Sequence, residues 1–234
     1  MQLFYNPTLD NSFKQFYFSP EESRHIIKVL RKKTGDHLKI TNGRGYFFTA
    51  EILDADPKKC QVQLVSDKKI IAPLHHLHIA IAPTKMNDRL EWFLEKATEI
   101  GISEITPILC ERSERKVIKN ERLEKVLQSA MKQSLRPFLP KLNALTPFAD
   151  VIKNQKTELN FIAHCHEGEK MELKRCVQAD KDLLILIGPE GDFSTNEIAM
   201  AKTKGFQAIS LGNSRLRTET AGIVACATVA LING

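Results

Sequence analysis

The sequence predicts an α/β fold, a mainly parallel sheet flanked by helices, preceded by a small, mostly β domain. Three observations carry this reading. From about residue 73 the chain alternates strand-length apolar runs with helix-length amphipathic ones, the pattern of a parallel sheet covered on both faces. Before that, one helix is followed by three strand-like runs with turn punctuation, which suits a small barrel. Between the two patterns stands Ile71-Ala72-Pro73, so domains are expected at 1–72 and 73–234.

In the first domain, Ser19 is placed to cap a helix, Pro20 suits its first position, and Glu22 completes a capping box. Ile26, Ile27 and Leu30 form the apolar face, and Gly35 lies beyond the end. Residues 37–41, 46–53 and 60–65 read as strands. Asn42-Gly43-Arg44-Gly45 is a hairpin turn between the first two.

In the second domain, residues 76–82 form a strand. Asn87 is placed to cap a helix carrying Leu90, Phe93, Leu94, Ala97 and Ile100, closed by Gly101. A strand over 105–110 and a helix over 119–135 follow, then strands over 157–163 and 183–188. Ser194 and Glu197 form a capping box for a helix ending at Gly205. A strand over 206–211 and a helix over 218–232 close the chain.

Bulk properties exclude little. The 34 Lys and Arg residues against 28 Asp and Glu give a net charge of +6, which permits a polyanionic partner such as RNA without requiring one. No apolar run reaches the length of a membrane span, and Met1-Gln2-Leu3-Phe4-Tyr5 lacks the pattern of a secretory signal. Five cysteines, an odd number without a C-x-x-C pair, argue against a disulfide framework or a zinc site. Reduced thiols in a cytoplasmic protein fit, with no metal and no membrane attachment.

The chemistry is concentrated near the C-terminus. Ile187-Gly188-Pro189-Glu190-Gly191-Asp192-Phe193-Ser194 and Leu211-Gly212-Asn213-Ser214-Arg215-Leu216-Arg217-Thr218-Glu219-Thr220-Ala221 each read as strand end, glycine turn and helix start. Successive units of this kind put two loops at one edge of a parallel sheet, where open α/β sheets bind small molecules. Gly188-Pro189-Glu190-Gly191 offers backbone groups to a ligand, although a ligand-free tight turn reads equally well. Small residues around Gly222 let the last helix lie close to a neighbour or leave room for a cofactor. No phosphate-binding loop or dinucleotide fingerprint occurs. The loops therefore suit a cofactor held by its adenosine and amino-acid ends better than ATP or NAD.

Gln133-Ser134-Leu135-Arg136 ends a helix, and Arg136 can pair with a phosphate, polarise a base carbonyl or simply answer the helix dipole. Glu219 is either a base or a carboxylate stabilising a helix N-terminus. The basic run Arg24, Lys28, Arg31 and Lys32, and the loop bearing Arg112 and Arg115, are RNA-contacting stripes or solvated faces. His164-Cys165-His166 with Cys176 lacks the spacing of a metal site.

These residues resemble the SPOUT superfamily of knotted methyltransferases, and within it the bacterial family that methylates N3 of a uridine in 16S ribosomal RNA. Ile187–Ser194 and the 211–221 segment are the strongest matches. The segments 25–31, 96–101 and 133–136 support them. The resemblance implies an N-terminal PUA-like β-barrel and a C-terminal deep trefoil knot. It also implies S-adenosylmethionine as cofactor, S-adenosylhomocysteine as product, and a homodimer whose partner subunit finishes the site. The substrate implied is a uridine of the decoding region near the 3′ end of 16S rRNA, with the small ribosomal subunit as partner. Ile187, Gly188, Pro189, Glu190 and Gly191 would form one wall of the cofactor site. Leu211, Gly212, Leu216, Arg217, Thr218 and Ala221 would form another, with His164 touching the cofactor. Arg136, then Arg217, would stabilise the developing uridinate, and Glu190 or Glu219 would take the proton. The chain departs from the family pattern at Asp192, where a second glycine is usual, and at Lys132, where an acidic residue is usual.

Competing readings are a nucleotide-binding α/β enzyme, which the missing phosphate motifs argue against, an RNA-binding assembly factor without turnover, and a ribose 2′-oxygen methyltransferase.

Overall fold

A computed structural model of the protein describes residues 2–12 and 14–234. The chain forms two units: Met1–Ala72 with Met131–Leu139, and Pro73–Ala130 with Pro140–Gly234. The alternating pattern had placed 131–139 in the second domain. The segment instead packs into the first unit, for reasons the backbone makes plain. Gly45 N–H donates to the Pro137 carbonyl and Leu139 N–H to the Gly43 carbonyl, both at 2.9 Å. A Cβ on Gly45 would lie 2.6 Å from the Phe138 ring, so this turn tolerates only glycine.

In the first unit, strands β1 (Leu3–Tyr5), β2 (Gln15–Tyr17), β3 (His37–Thr41), β4 (Tyr46–Asp54) and β5 (Gln61–Lys69) form a sheet in the order β1-β3-β4-β5-β2. The β3-β4-β5 meander is antiparallel, whereas β1 runs parallel to β3. Alternation along β4 buries Phe48, Ala50 and Ile52 against Phe4, Phe18, Ile26 and Ile40. Helix α1 (Pro20–Arg24) is capped by Ser19, whose hydroxyl accepts the Glu22 N–H at 3.2 Å. The Glu22 carboxylate does not close the expected box. It lies 3.5 Å from Lys132 Nζ, fastening the 131–139 segment. The helix widens into a π-helical turn over His25–Val29, and Arg31 turns left-handed at φ 55°, well before Gly35.

The second unit contains β6 (Leu77–Ile81), α2 (Asn87–Ile100), β7 (Glu104–Leu109), α3 (Asn120–Gln133, whose end enters the first unit), β8 (Lys141–Leu142), β9 (Thr146–Pro147), α4 (Phe148–Asn154) and β10 (Leu159–Ala163). It continues with β11 (Met171–Glu172), α5 (Leu173–Cys176), β12 (Leu183–Ile187), α6 (Thr195–Thr203), β13 (Gln207–Ser210) and α7 (Thr218–Asn233). The sheet order is β11-β13-β10-β12-β6-β7-β8, with β9 beside β7, and every pairing is parallel. All five residues of β12 are buried, as expected of a central parallel strand. Leu184, Leu186 and Ala80 face one side, with Phe148, Phe193, Ile198 and Phe206. On the other, α7 lies against α2, and a Cβ on Gly222 would come within 2.5 Å of the Phe93 ring.

Capping differs at one helix. Asn87 is the first residue of α2 rather than its cap, which is Met86, and the Asn87 side-chain oxygen accepts from Arg115 instead. Gly101 closes α2 at φ 117°. At α6 the box is complete: Glu197 N–H donates to Ser194 Oγ at 3.2 Å, and Ser194 N–H to Glu197 Oε2 at 2.8 Å.

Candidate functional site

The strand order makes β13, β10 and β12 neighbours, with Ala163 in register with Ile187 on one side and Ile209 on the other. Their carboxyl ends release three loops at one edge: 164–170, 188–194 and 211–217. The loops enclose a cleft of about 530 Å³, within the range of small-molecule sites. Eleven of the twelve residues expected to hold a cofactor line it. Gly191 does not. Its carbonyl faces away and accepts from Arg112 Nη1 at 3.0 Å. Arg112, expected to contact RNA, thus braces the cofactor loop.

The first half of loop 188–194 is held by two hydrogen bonds. Thr218 Oγ1, in the first turn of α7, donates to the Gly188 carbonyl at 3.0 Å. Glu190 Oε1 accepts the Lys85 N–H at 3.0 Å, a structural task for that carboxylate.

Asp192 is the unforeseen hub. It stands at φ 61°, a left-handed conformation that aspartate tolerates better than most residues. Its Oδ2 accepts the Cys165 N–H and its Oδ1 the Phe193 N–H, both at 2.8 Å. The aspartate therefore ties loop 164–170 to loop 188–194, which a glycine here could not do. Lys170 Nζ completes the first loop by donating to the carbonyls of His164 and His166.

His164 closes the floor. It is 9% exposed, and neither ring nitrogen has a hydrogen-bond partner. Burial, then the charge of Lys170, lowers its pKa, so the ring is neutral at pH 7 with one donor and one acceptor. A buried polar side chain left unsatisfied in a cleft is a place where a ligand's polar edge fits.

Arg215, Leu216 and Arg217 separate this cleft from a second one of about 670 Å³, which they also line. Glu219 faces the second cleft, not the first, as does Trp92 on α2. Trp92 carried no sequence signal, because it occupies an ordinary position of an amphipathic helix. Arg136 lies in the first unit, outside the lining of either cleft. Arg24, Lys28 and Arg31 are exposed on the first unit, while Lys32 is half-buried and lies 4.0 Å from Asp36. Lys132 makes the ion pair with Glu22 already described, a structural role.

Burial pushes the Cys60 thiol up to about 11 and raises those of Cys110 and Cys226, so none of the three is a nucleophile at neutral pH. Among the described residues, no group of three or more His, Cys, Asp or Glu could hold a metal ion.

Comparison with known proteins agrees with this geometry. An RNA methyltransferase domain model matches residues 72–230, and an RNA methyltransferase PUA domain model matches 18–65. The ribosomal RNA small subunit methyltransferase E of Buchnera aphidicola is 34% identical, over 92% of this chain and 88% of its own length. That of Rickettsia conorii is 31% identical, over 99% and 95%. A probable rRNA-methyltransferase from Porphyromonas gingivalis superposes with a TM-score of 0.93 at 42% identity, over 100% of this chain and 98% of its own. A methyltransferase from Legionella pneumophila, solved with bound S-adenosylmethionine, gives 0.88 at 28% identity, over 99% and 97%.

Proposed function

The chain belongs to the ribosomal RNA small subunit methyltransferase E family, and we propose from this that it methylates N3 of a uridine in 16S rRNA, using S-adenosylmethionine. The observation that carries the reading is the cleft at the ends of β10, β12 and β13, floored by a buried, unpartnered His164. The residues fit the cofactor: residues 188–190 and 211–212 line the cleft, and the buried His164 ring beside them has both nitrogens without a partner. When bound, the cofactor supplies an electrophilic methyl group. The chain's own residues bind and orient it, and hold the base in line.

Positioning two reactants in this way supplies much of a rate enhancement. Arg217, which lines both clefts, is assigned to the charge that develops on the uracil oxygens as N3 loses its proton. The exposed Arg24, Lys28 and Arg31 of the PUA-like first unit are assigned to phosphate contacts, with Lys32 beside them and Arg115 on the second unit.

The reading extends to a homodimer in which the partner subunit finishes the site. Helix α7 favours it, since Leu231 is 84% exposed and Ile223, Val224 and Ala227 are only partly buried. It extends also to the family's trefoil knot in the second unit, with the cofactor bent into it. The partner is the small ribosomal subunit and the compartment the cytoplasm. No helix among the described residues is long and apolar enough to cross a membrane.

Nucleoside mass spectrometry tests the proposal. Small subunits lacking the modification are incubated with protein and S-adenosylmethionine, then digested. A new 3-methyluridine peak is expected. A different methylated nucleoside overturns the assigned atom, and no methylation at all overturns the activity.

A further inference from the structure

We infer that the second cleft receives the target uracil, with Trp92 as its stacking surface and Glu219 as the base that removes the N3 proton. The inference rests on the function proposed above.

Glu219 is the observation that carries it. The residue is 7% exposed, yet its Oε2 has no hydrogen-bond partner. Its Oε1 lies 3.9 Å from Arg89 Nε, too far for a hydrogen bond. A carboxylate that served only the helix N-terminus would spend its oxygens on the backbone N–H groups there. Asp88, the other acid in this cleft, does so by accepting the Arg89 N–H at 3.0 Å. Glu219 lines the pocket instead, and its buried Oε2 is left without a partner.

The remaining walls suit a nucleotide. Trp92 is 43% exposed, and it is the chain's single tryptophan. A half-exposed indole beside arginines is the usual platform for an unstacked base. Arg89 and Arg215 supply positive charge for the phosphates. Uracil differs from cytosine at the atom that matters, because its N3 carries a hydrogen. A carboxylate accepts from that N3–H and repels the N3 lone pair of cytosine.

Location links this pocket to the chemistry. Thr218 and Ala221 face the first cleft, Glu219 and Thr220 the second, and Arg215, Leu216 and Arg217 wall both. The proton passes from N3 to the Glu219 carboxylate. The freed nitrogen pair forms the new N–C bond to the methyl carbon as the S–C bond breaks, its electrons staying on sulfur.

The experiment has two readouts. First, Trp92 fluorescence is followed as protein without cofactor is titrated with an oligouridylate and a matched oligocytidylate. Uridylate is expected to quench and to bind roughly tenfold tighter than cytidylate. In Glu219→Gln, whose amide both donates and accepts, that preference should fall to about twofold or less. Second, methyl transfer is measured on unmodified small subunits. Glu219→Gln should lose activity on uridine by at least about a hundredfold, with S-adenosylhomocysteine affinity unchanged. It should regain much of it on RNA carrying 5-fluorouridine, whose N3–H is a stronger acid. Trp92→Ala should raise the KM for RNA roughly tenfold, and Trp92→Phe should restore it. Equal quenching by both oligomers, or none, overturns the inference. So does full activity of Glu219→Gln, or a Trp92→Ala protein that changes only its oligomeric state. Wild-type protein that makes no 3-methyluridine overturns the proposed function instead.

Discussion

Replacing Asp192 separates what its backbone does from what its carboxylate does. The residue holds a left-handed turn and accepts two backbone N–H groups that join the two cofactor loops. A hydrogen bond to a charged acceptor is worth about 1.5–3 kcal/mol. Cys165 is exposed, so the lower end applies to its N–H, and part of the Phe193 contact survives as local turn structure. Asp192→Gly keeps the φ at no steric cost but deletes both acceptors, a loss of about 2 kcal/mol in loop order. If ordering is drawn from binding, S-adenosylmethionine should bind roughly 30-fold more weakly. Asp192→Asn retains one acceptor and a left-handed preference, so it should fall between the two. Asp192→Ala loses the acceptors and adds about 1–2 kcal/mol of backbone strain, making it the weakest. Isothermal titration with the cofactor measures all four proteins. A glycine variant that binds as tightly as the parent refutes the argument, because the left-handed turn alone would then suffice.

Three further outcomes are expected. His164→Phe preserves the ring's bulk and removes both nitrogens; cofactor affinity should drop about tenfold, in line with one or two neutral hydrogen bonds, and an unchanged dissociation constant would remove His164 from the site. Gly222→Ala drives a methyl into the buried Phe93 ring. Overpacking of about 1–3 kcal/mol should outweigh a helix-propensity gain of about 1 kcal/mol and lower the Tm by a few degrees in a thermal scan; an equal or higher Tm contradicts the close packing. Burial holds His78 neutral with a pKa lowered to about 4, whereas the unfolded chain takes up that proton near 6.5. Between those values the unfolded state binds more protons, so stability should fall as pH drops from 6.5 towards 4, by up to about 1.4 kcal/mol per pH unit. Urea midpoints at pH 7 and pH 5 should therefore differ less in His78→Gln than in the parent, and equal differences would refute the assignment.

The second unit was largely legible because its signals are local and redundant. The apolar run of β12, the reciprocal Ser194–Glu197 box and Gly101 at φ 117° each point to one outcome. Strands β1 and β2 were hidden because three residues do not establish a period, and α4 and α5 because a few residues of helix are held by packing rather than propensity. The cofactor loops could be read from their glycines. The Asp192 bridge could not, since it joins residues far apart in sequence through side-chain bonds. Nor could the face that Glu219 presents, because adjacent helical residues point different ways and only the packing of α7 decides which cleft each meets.

The return of residues 131–139 to the first unit has a consequence for synthesis. The N-terminal half cannot be completed when its own strands have emerged from the ribosome. The turn at Gly45 waits for Phe138, and Glu22 waits for Lys132, which arrive only after the first strands of the other half have been made. Folding in order of synthesis is thereby interleaved rather than sequential. For the same reason, a clean cut after Ala72 parts the first unit from residues 131–139, which bring it Phe138 and Lys132. One piece lacks the strap that closes it, and the other carries that strap with nothing to bind.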